Sequence, residues 1–231
     1  MRSWEYPIHL DNGEAVMSTN PSFRPWLLAL AAAAALALIL YHVGPFSQDA
    51  APARDGAGVG KTAPRAALGA LQQALPGLVV HAEPRSLPAD LSFTGPQGPV
   101  AMRALAGRWT LVNFWATWCA PCVEELPTLD RLQAAVGGER FTVTLISLDS
   151  MPREKVVAAL RGYGVSRLDT LVDENLAAMG ALSIPGLPTT LLLDPAGREV
   201  ARLVGPAEWN APAVQAALRQ LIGDRREAGQ G

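Results

Sequence analysis

Val112-Asn113-Phe114-Trp115-Ala116-Thr117-Trp118-Cys119-Ala120-Pro121-Cys122 holds both cysteines of the chain. The residues up to Trp115 read as a strand that is apolar on both faces except at Asn113. The cysteines follow, one helical turn apart, which is close enough for a disulfide. A helix opening at the pair offers a thiolate free backbone N–H groups and the positive end of the helix dipole. A Cys-x-x-Cys placed between a buried strand and a helix is therefore a redox signature. Half of a zinc site is the alternative, and it lacks ligands: there are no other cysteines, and His9, His42 and His81 all precede the motif.

Working outward from this stretch, the helix that starts at the cysteines is predicted to run to about Val136. Leu126, Leu129, Leu132 and Val136 recur at helical spacing, and Pro127 is expected to kink it. Phe141 to Leu148 reads as a second buried strand. Ser150 and Pro152 then mark the start of a helix carrying Val156, Val157 and Leu160. Thr170 to Val172 is a short strand, and Asp173 to Met179 gives a helical turn or two. After Pro185-Gly186-Leu187-Pro188 come two strands, Thr189 to Leu193 and Glu199 to Val204, joined by a turn short enough to make them antiparallel. Val214, Ala217, Leu218, Leu221 and Ile222 mark a closing helix, capped by Asn210 with Pro212 in its first turn. Upstream, Leu91-Ser92-Phe93 and Val100-Ala101-Met102 flank Gly95-Pro96-Gln97-Gly98 as a hairpin, and Ala66 to Leu75 is a short helix. The order predicts an α/β class, with a central mixed β-sheet flanked by helices and an N-terminal β-hairpin extension.

Outside this domain, Trp26 to Val43 carries no charge. Eighteen residues at a helical rise span about 27 Å, near the minimum for a bilayer. The expected organisation is a short cytoplasmic N-terminus (1–24), a single transmembrane anchor (25–43), a flexible linker (44–65), the folded domain (66–223) and a frayed tail (224–231). A cleaved signal peptide fits less well, because no small-x-small site follows closely. Met17 is an alternative start, since residues 1–16 show no periodic pattern. Arg24 on one flank, with no Lys or Arg on the other before Arg54, favours the N-terminus inside and the cysteines outside. The formal net charge of −2 and the lack of any basic cluster argue against nucleic acid.

The chain resembles the membrane-anchored, TlpA-like thiol-disulfide oxidoreductases of the bacterial periplasm, relatives of ResA with a thioredoxin fold. The resemblance runs from about Leu91 to Leu221. It is carried by Leu111 to Cys122, Glu125-Leu126-Pro127, Gly186-Leu187-Pro188-Thr189 and Gly205-Pro206-Ala207-Glu208-Trp209. It implies Cys119 as the exposed nucleophile, Cys122 as the buried resolving thiol, and Glu125 as a buried carboxylate that moves their protons. Asn113 stands where thioredoxins carry an aspartate, and an amide cannot take that proton, which leaves Glu125. The resemblance further implies a cis proline at Pro188 against the cysteines, with Pro185 as the rival. Client contact is expected at Trp118, Pro121, Leu187 and Pro188, while Trp115 mostly packs. The implied cofactor is none beyond the Cys119–Cys122 disulfide.

The implied function is reduction of client disulfides at the periplasmic face of the bacterial inner membrane. Clients would be apocytochrome c or a copper-site assembly protein, with electrons from a membrane thiol donor. Ala-Pro between the cysteines lacks the histidine of strongly oxidising relatives, so a reducing to intermediate potential is expected. A dithiol oxidase would use the same residues in reverse. A copper metallochaperone on this fold needs three residues between its cysteines and a distant histidine, and a peroxidase needs a Pro-x-x-x-Thr-x-x-Cys loop. Neither pattern is present in the sequence.

Overall fold

The computed structural model describes residues 59–223. At the middle of its sheet lies strand β4 (Trp109–Trp115), in which only Trp109 is more than slightly exposed. Seven strands surround it: β1 (Val79–Arg85), β2 (Ser92–Gly95), β3 (Gly98–Ala101), β5 (Phe141–Ser147), β6 (Thr170–Val172), β7 (Thr189–Leu193) and β8 (Glu199–Val204). The order across the sheet is β1-β8-β7-β4-β5-β6-β2-β3. β4 and β5 run parallel from Trp109↔Phe141 to Trp115↔Ser147, whereas β7 is antiparallel to both β4 and β8. Parallel neighbours require a crossover, and helix α2 (Ala120–Val136) supplies it. Its N-terminus, with the cysteines, therefore sits at the carboxyl end of the central strand, where open α/β sheets place their sites.

The period-two alternation of β4 divides the core. Leu111 and Trp115 belong to one apolar cluster with Cys122, Leu126, Leu129 and Leu132 of α2, while Val112 and Phe114 face a second with Phe93, Ile146, Leu191 and Leu193. Asn113 shares the α2 face with Leu111 and Trp115. Helices α1 (Val59–Ala74) and α5 (Pro212–Leu221) contribute Leu68, Leu71, Val214 and Leu218 to the same cluster. Two further helices, α3 (Arg153–Gly162) and α4 (Ala177–Ala181), lead into and out of β6. The thioredoxin-like arrangement, the hairpin and the antiparallel β7–β8 pair agree with the expectations.

Four local readings need correction. α1 begins at Val59 rather than Ala66. β1 was not anticipated: Val-Val-His-Ala-Glu-Pro-Arg has no clean alternation, and it exists because it pairs with β8 at Val79↔Arg202. α3 starts after Pro152 with no side-chain cap, so Ser150 does not perform that role. α5 starts after Ala211, likewise uncapped, and the Asn210 side-chain oxygen instead accepts from Gln215 at 2.9 Å. In α5 the ring of Pro212, the first helical residue, pre-sets the first turn, whereas Pro152 is the extended residue just outside α3. Among the described residues no helix is long and apolar enough to cross a membrane. The expected anchor at 25–43, most of the linker and the tail at 224–231 lie outside the described residues.

Candidate active site

Cys119 occupies the N-cap of α2 with extended backbone, and Pro121 follows in the first turn. Cys119 and Cys122 are joined as a disulfide. Cys122 is fully buried in the α2 core, and Cys119 is 6% exposed. The expected exposed nucleophile is thus mostly covered, but it lines an open groove of about 770 Å³ together with Trp118, Pro121, Leu148, Met151, Leu176, Met179 and Leu187. Reduction would leave the Cys119 sulfur beside the free N–H groups of the first turn of α2, which favour a thiolate.

Trp118 is 71% exposed at the rim, while Trp115 is buried, its indole N–H donating to Thr170 Oγ1 at 3.1 Å. Leu187–Pro188 is a cis peptide bond, so the rival Pro185 is not the cis residue. Leu187 lines the groove, and the Pro188 carbonyl accepts from Gly205 N–H at 2.8 Å. The Trp115–Cys119 turn is braced from beneath by Asp149, buried near the end of β5. Its carboxylate accepts from Thr117 N–H at 2.9 Å, Thr117 O–H at 2.7 Å and Ser147 O–H at 2.6 Å.

Glu125 lies one turn beyond Cys122 and is 3% exposed. Its Oε1 accepts from Asn113 Nδ2 at 2.7 Å; its Oε2 accepts from Ala207 N–H at 2.9 Å and Trp209 Nε1 at 3.1 Å. Asn113 Nδ2 also donates to Thr190 Oγ1 at 2.9 Å, while Asn113 Oδ1 is buried without a partner. Burial pushes the Glu125 carboxyl up from 4.5 to about 7, against the three N–H donors, which pull it down. A group that changes charge near neutral pH, anchored one turn from a buried thiol, can hold or release a proton during exchange.

The family model for the AhpC/TSA family matches residues 86–202. The chain belongs to the AhpC/TSA family. Among its relatives, the thiol-disulfide oxidoreductase ResA of Bacillus cereus is 28% identical over 106 residues, 46% of this chain and 60% of that protein. Thioredoxin of Rhodospirillum rubrum is 35% identical over 83 residues, 36% of this chain and 74% of that one. The crystal structure of a thiol:disulfide interchange protein DsbE from Chlorobium tepidum is similar with a TM-score of 0.50 and 26% identity, over 61% of this chain and 94% of that one. These similarities make the chain a TlpA/ResA-like member of the AhpC/TSA family. It spans about 60% of the length of the ResA relative.

Sequence reasoning reached Cys119, Cys122, Glu125, Trp118, Pro121, Leu187 and Pro188 in this AhpC/TSA-family chain. Trp118, Cys119, Pro121 and Leu187 line the groove, Cys122 is bonded to Cys119 beneath it, and Pro188 follows Leu187 through the cis bond. Glu125 lies instead on a smaller cleft of about 290 Å³ with Pro121, Thr128 and Ala207. It missed Thr190 and Asp149, and it gave no role to Trp209 or Ala207. The Gly205–Trp209 block was visible as a resemblance, but nothing local reveals that it closes over Glu125. Among the described residues no group of three or more His, Cys, Asp or Glu side chains is arranged to hold a metal ion.

Proposed function

We propose that this chain is a thiol-disulfide oxidoreductase working as a reductase of client disulfides. The observation that carries the reading is the Cys119–Cys122 pair at the N-terminus of α2, one cysteine on an apolar groove and the other buried one turn from Glu125. In the reduced protein the Cys119 thiolate attacks a client disulfide. One client sulfur leaves as a thiolate and the other is held in a mixed disulfide. Cys122 gives up its proton, attacks Cys119 and releases the second client sulfur. The client gains two electrons and two protons, and the protein returns to its disulfide form. Glu125 is the group suited to take and return the Cys122 proton.

The reading extends to a chain anchored in the inner membrane by residues 25–43, with this domain in the periplasm. Apocytochrome c or a copper-site assembly protein would be its client, a membrane thiol carrier its electron donor, and the cysteine pair its sole redox group. It is supported by the uncharged run at Trp26 to Val43 and by the likeness to ResA. The Cys122→Ser variant tests the chemistry: Cys119 attacks but is not released, so clients accumulate as mixed disulfides identifiable by mass spectrometry. Trapping by Cys119→Ser instead would reverse the assignment of the two thiols. Thiol labelling in cells tests the direction, since a mostly oxidised resting pair would sink the reductase reading in favour of an oxidase.

A further inference from the structure

Away from the cysteines, β8 carries a buried ionic cluster that the exchange reaction does not use. Arg202 Nε and Nη2 donate to the two carboxylate oxygens of Glu199 at 2.8 and 2.9 Å. Nη1 and Nη2 also donate to the backbone carbonyls of Ser183 at 2.8 Å and Leu182 at 2.9 Å. Glu199 is 1% exposed, and its Oε1 lies 2.6 Å from His81 Nε2 on β1. Burial works to raise the Glu199 carboxyl, but the Arg202 and His81 bonds outweigh it and hold the group below its ordinary range. The guanidinium is therefore fixed from behind while its outer edge grips two carbonyls.

Those carbonyls belong to the connector between the two walls of the groove. Leu182 follows α4, which carries Met179, and Ser183 precedes the segment that carries Gly186 and Leu187. Ser183 has φ +50°, a left-handed conformation that a residue with a side chain keeps only when its surroundings hold it. Arg202 is such a restraint, since one planar fork meets four acceptors at once. We propose that Arg202 is a positioning residue for client binding: by clamping Leu182 and Ser183 it sets the separation of the Met179 wall from the Gly186–Leu187 wall. This rests on the proposed exchange function and adds to it a residue that acts on the client rather than on the thiols. Glu199 and His81 are its supports.

The test compares a substrate that fills the groove with one that needs only the sulfur. The full chain, reduced, is reacted with a fluorophore–quencher peptide disulfide bearing Leu and Phe beside its cysteines, and separately with hydroxyethyl disulfide. Arg202→Gln is expected to raise the half-saturating peptide concentration about 10-fold with a nearly unchanged limiting rate, as misplaced binding groups do. Its rate with hydroxyethyl disulfide should stay at the wild-type value. Arg202→Lys keeps the charge but cannot serve four acceptors, and should fall between the two. An unchanged half-saturating concentration in both variants, or equal slowing with both substrates, overturns the positioning role. Should Arg202→Gln fail to unfold cooperatively, Arg202→Lys carries the same comparison. A wild-type chain that reacts with neither disulfide sinks the exchange function itself, which separates the two failures.

Discussion

A carboxyl sealed among apolar side chains is costly as an anion, and three N–H donors do not fully offset that cost at Glu125. The result is a group raised from 4.5 to about 7 in the folded chain. Between those two values the folded state keeps a proton that the unfolded state has lost, so this residue's contribution to stability falls as pH rises through the window. Above it the ionised carboxylate costs about 3 kcal/mol at most. Glu125→Gln removes that cost while keeping the shape. Its amide donor finds an acceptor in Asn113 Oδ1, the buried oxygen without a partner, once the Asn113 amide turns over. The variant is expected to be more stable than wild type by about 1–3 kcal/mol at pH 8, with no gain near pH 4, in urea unfolding. It should also lose any inflection near pH 7 in the rate at which Cys122 resolves a mixed disulfide. A wild-type pH profile in the variant would remove Glu125 from the chemistry.

The elements that hold the site are joined by polar ties as well as by the core. Asp130, buried in the middle of α2, accepts from the N–H groups of Arg167 at 2.7 Å and Leu168 at 3.1 Å and from the Arg167 guanidinium at 3.1 Å, fixing the loop between α3 and β6. Burial works to raise its carboxyl, but these bonds prevail and hold it below its ordinary 3.8. Its stabilisation is therefore complete above that value and lost as the pH falls further. Asp130→Asn is expected to cost about 1–2 kcal/mol at pH 7, and the gap to wild type should close near pH 2, measured by urea unfolding at both. Such ties mark the limit of what could be read in advance. β4, β5 and β7 are largely apolar runs, β8 follows β7 through a short turn, and α2 has a strong leucine period, so each declares itself locally. β1 does not, because its pairing partner lies more than a hundred residues downstream. The same holds at the site: Cys119, Cys122 and Leu187–Pro188 sit in short recognisable segments. Thr190, Ala207 and Trp209 reach Asn113 or Glu125 across 77 to 84 residues of sequence, with no periodic signal to show it.

At the scale of the molecule, the region matched by the family, 86–202, is smaller than the unit that shares one core. Ala67, Leu68 and Leu71 of α1, with Leu75 and Leu78 just beyond it, are buried in the same cluster as Cys122, Leu126 and the α5 residues Val214, Leu218 and Leu221. Removing α1 and β1 would thus uncover the face of α5 on which α1 packs and the outer edge of β8, and would take away His81 as well. A buried leucine is worth about 1.5–3 kcal/mol, and four of them rival the roughly 5–15 kcal/mol by which a whole domain is stable. A chain starting at Ser86 is accordingly expected to show no cooperative thermal unfolding by circular dichroism, and to expose apolar surface to a hydrophobic dye. Cooperative unfolding of the Ser86 chain would make α1 and β1 a covering laid over a domain complete without them. Its absence would make them part of the scaffold that holds Cys122 and Glu125 in place.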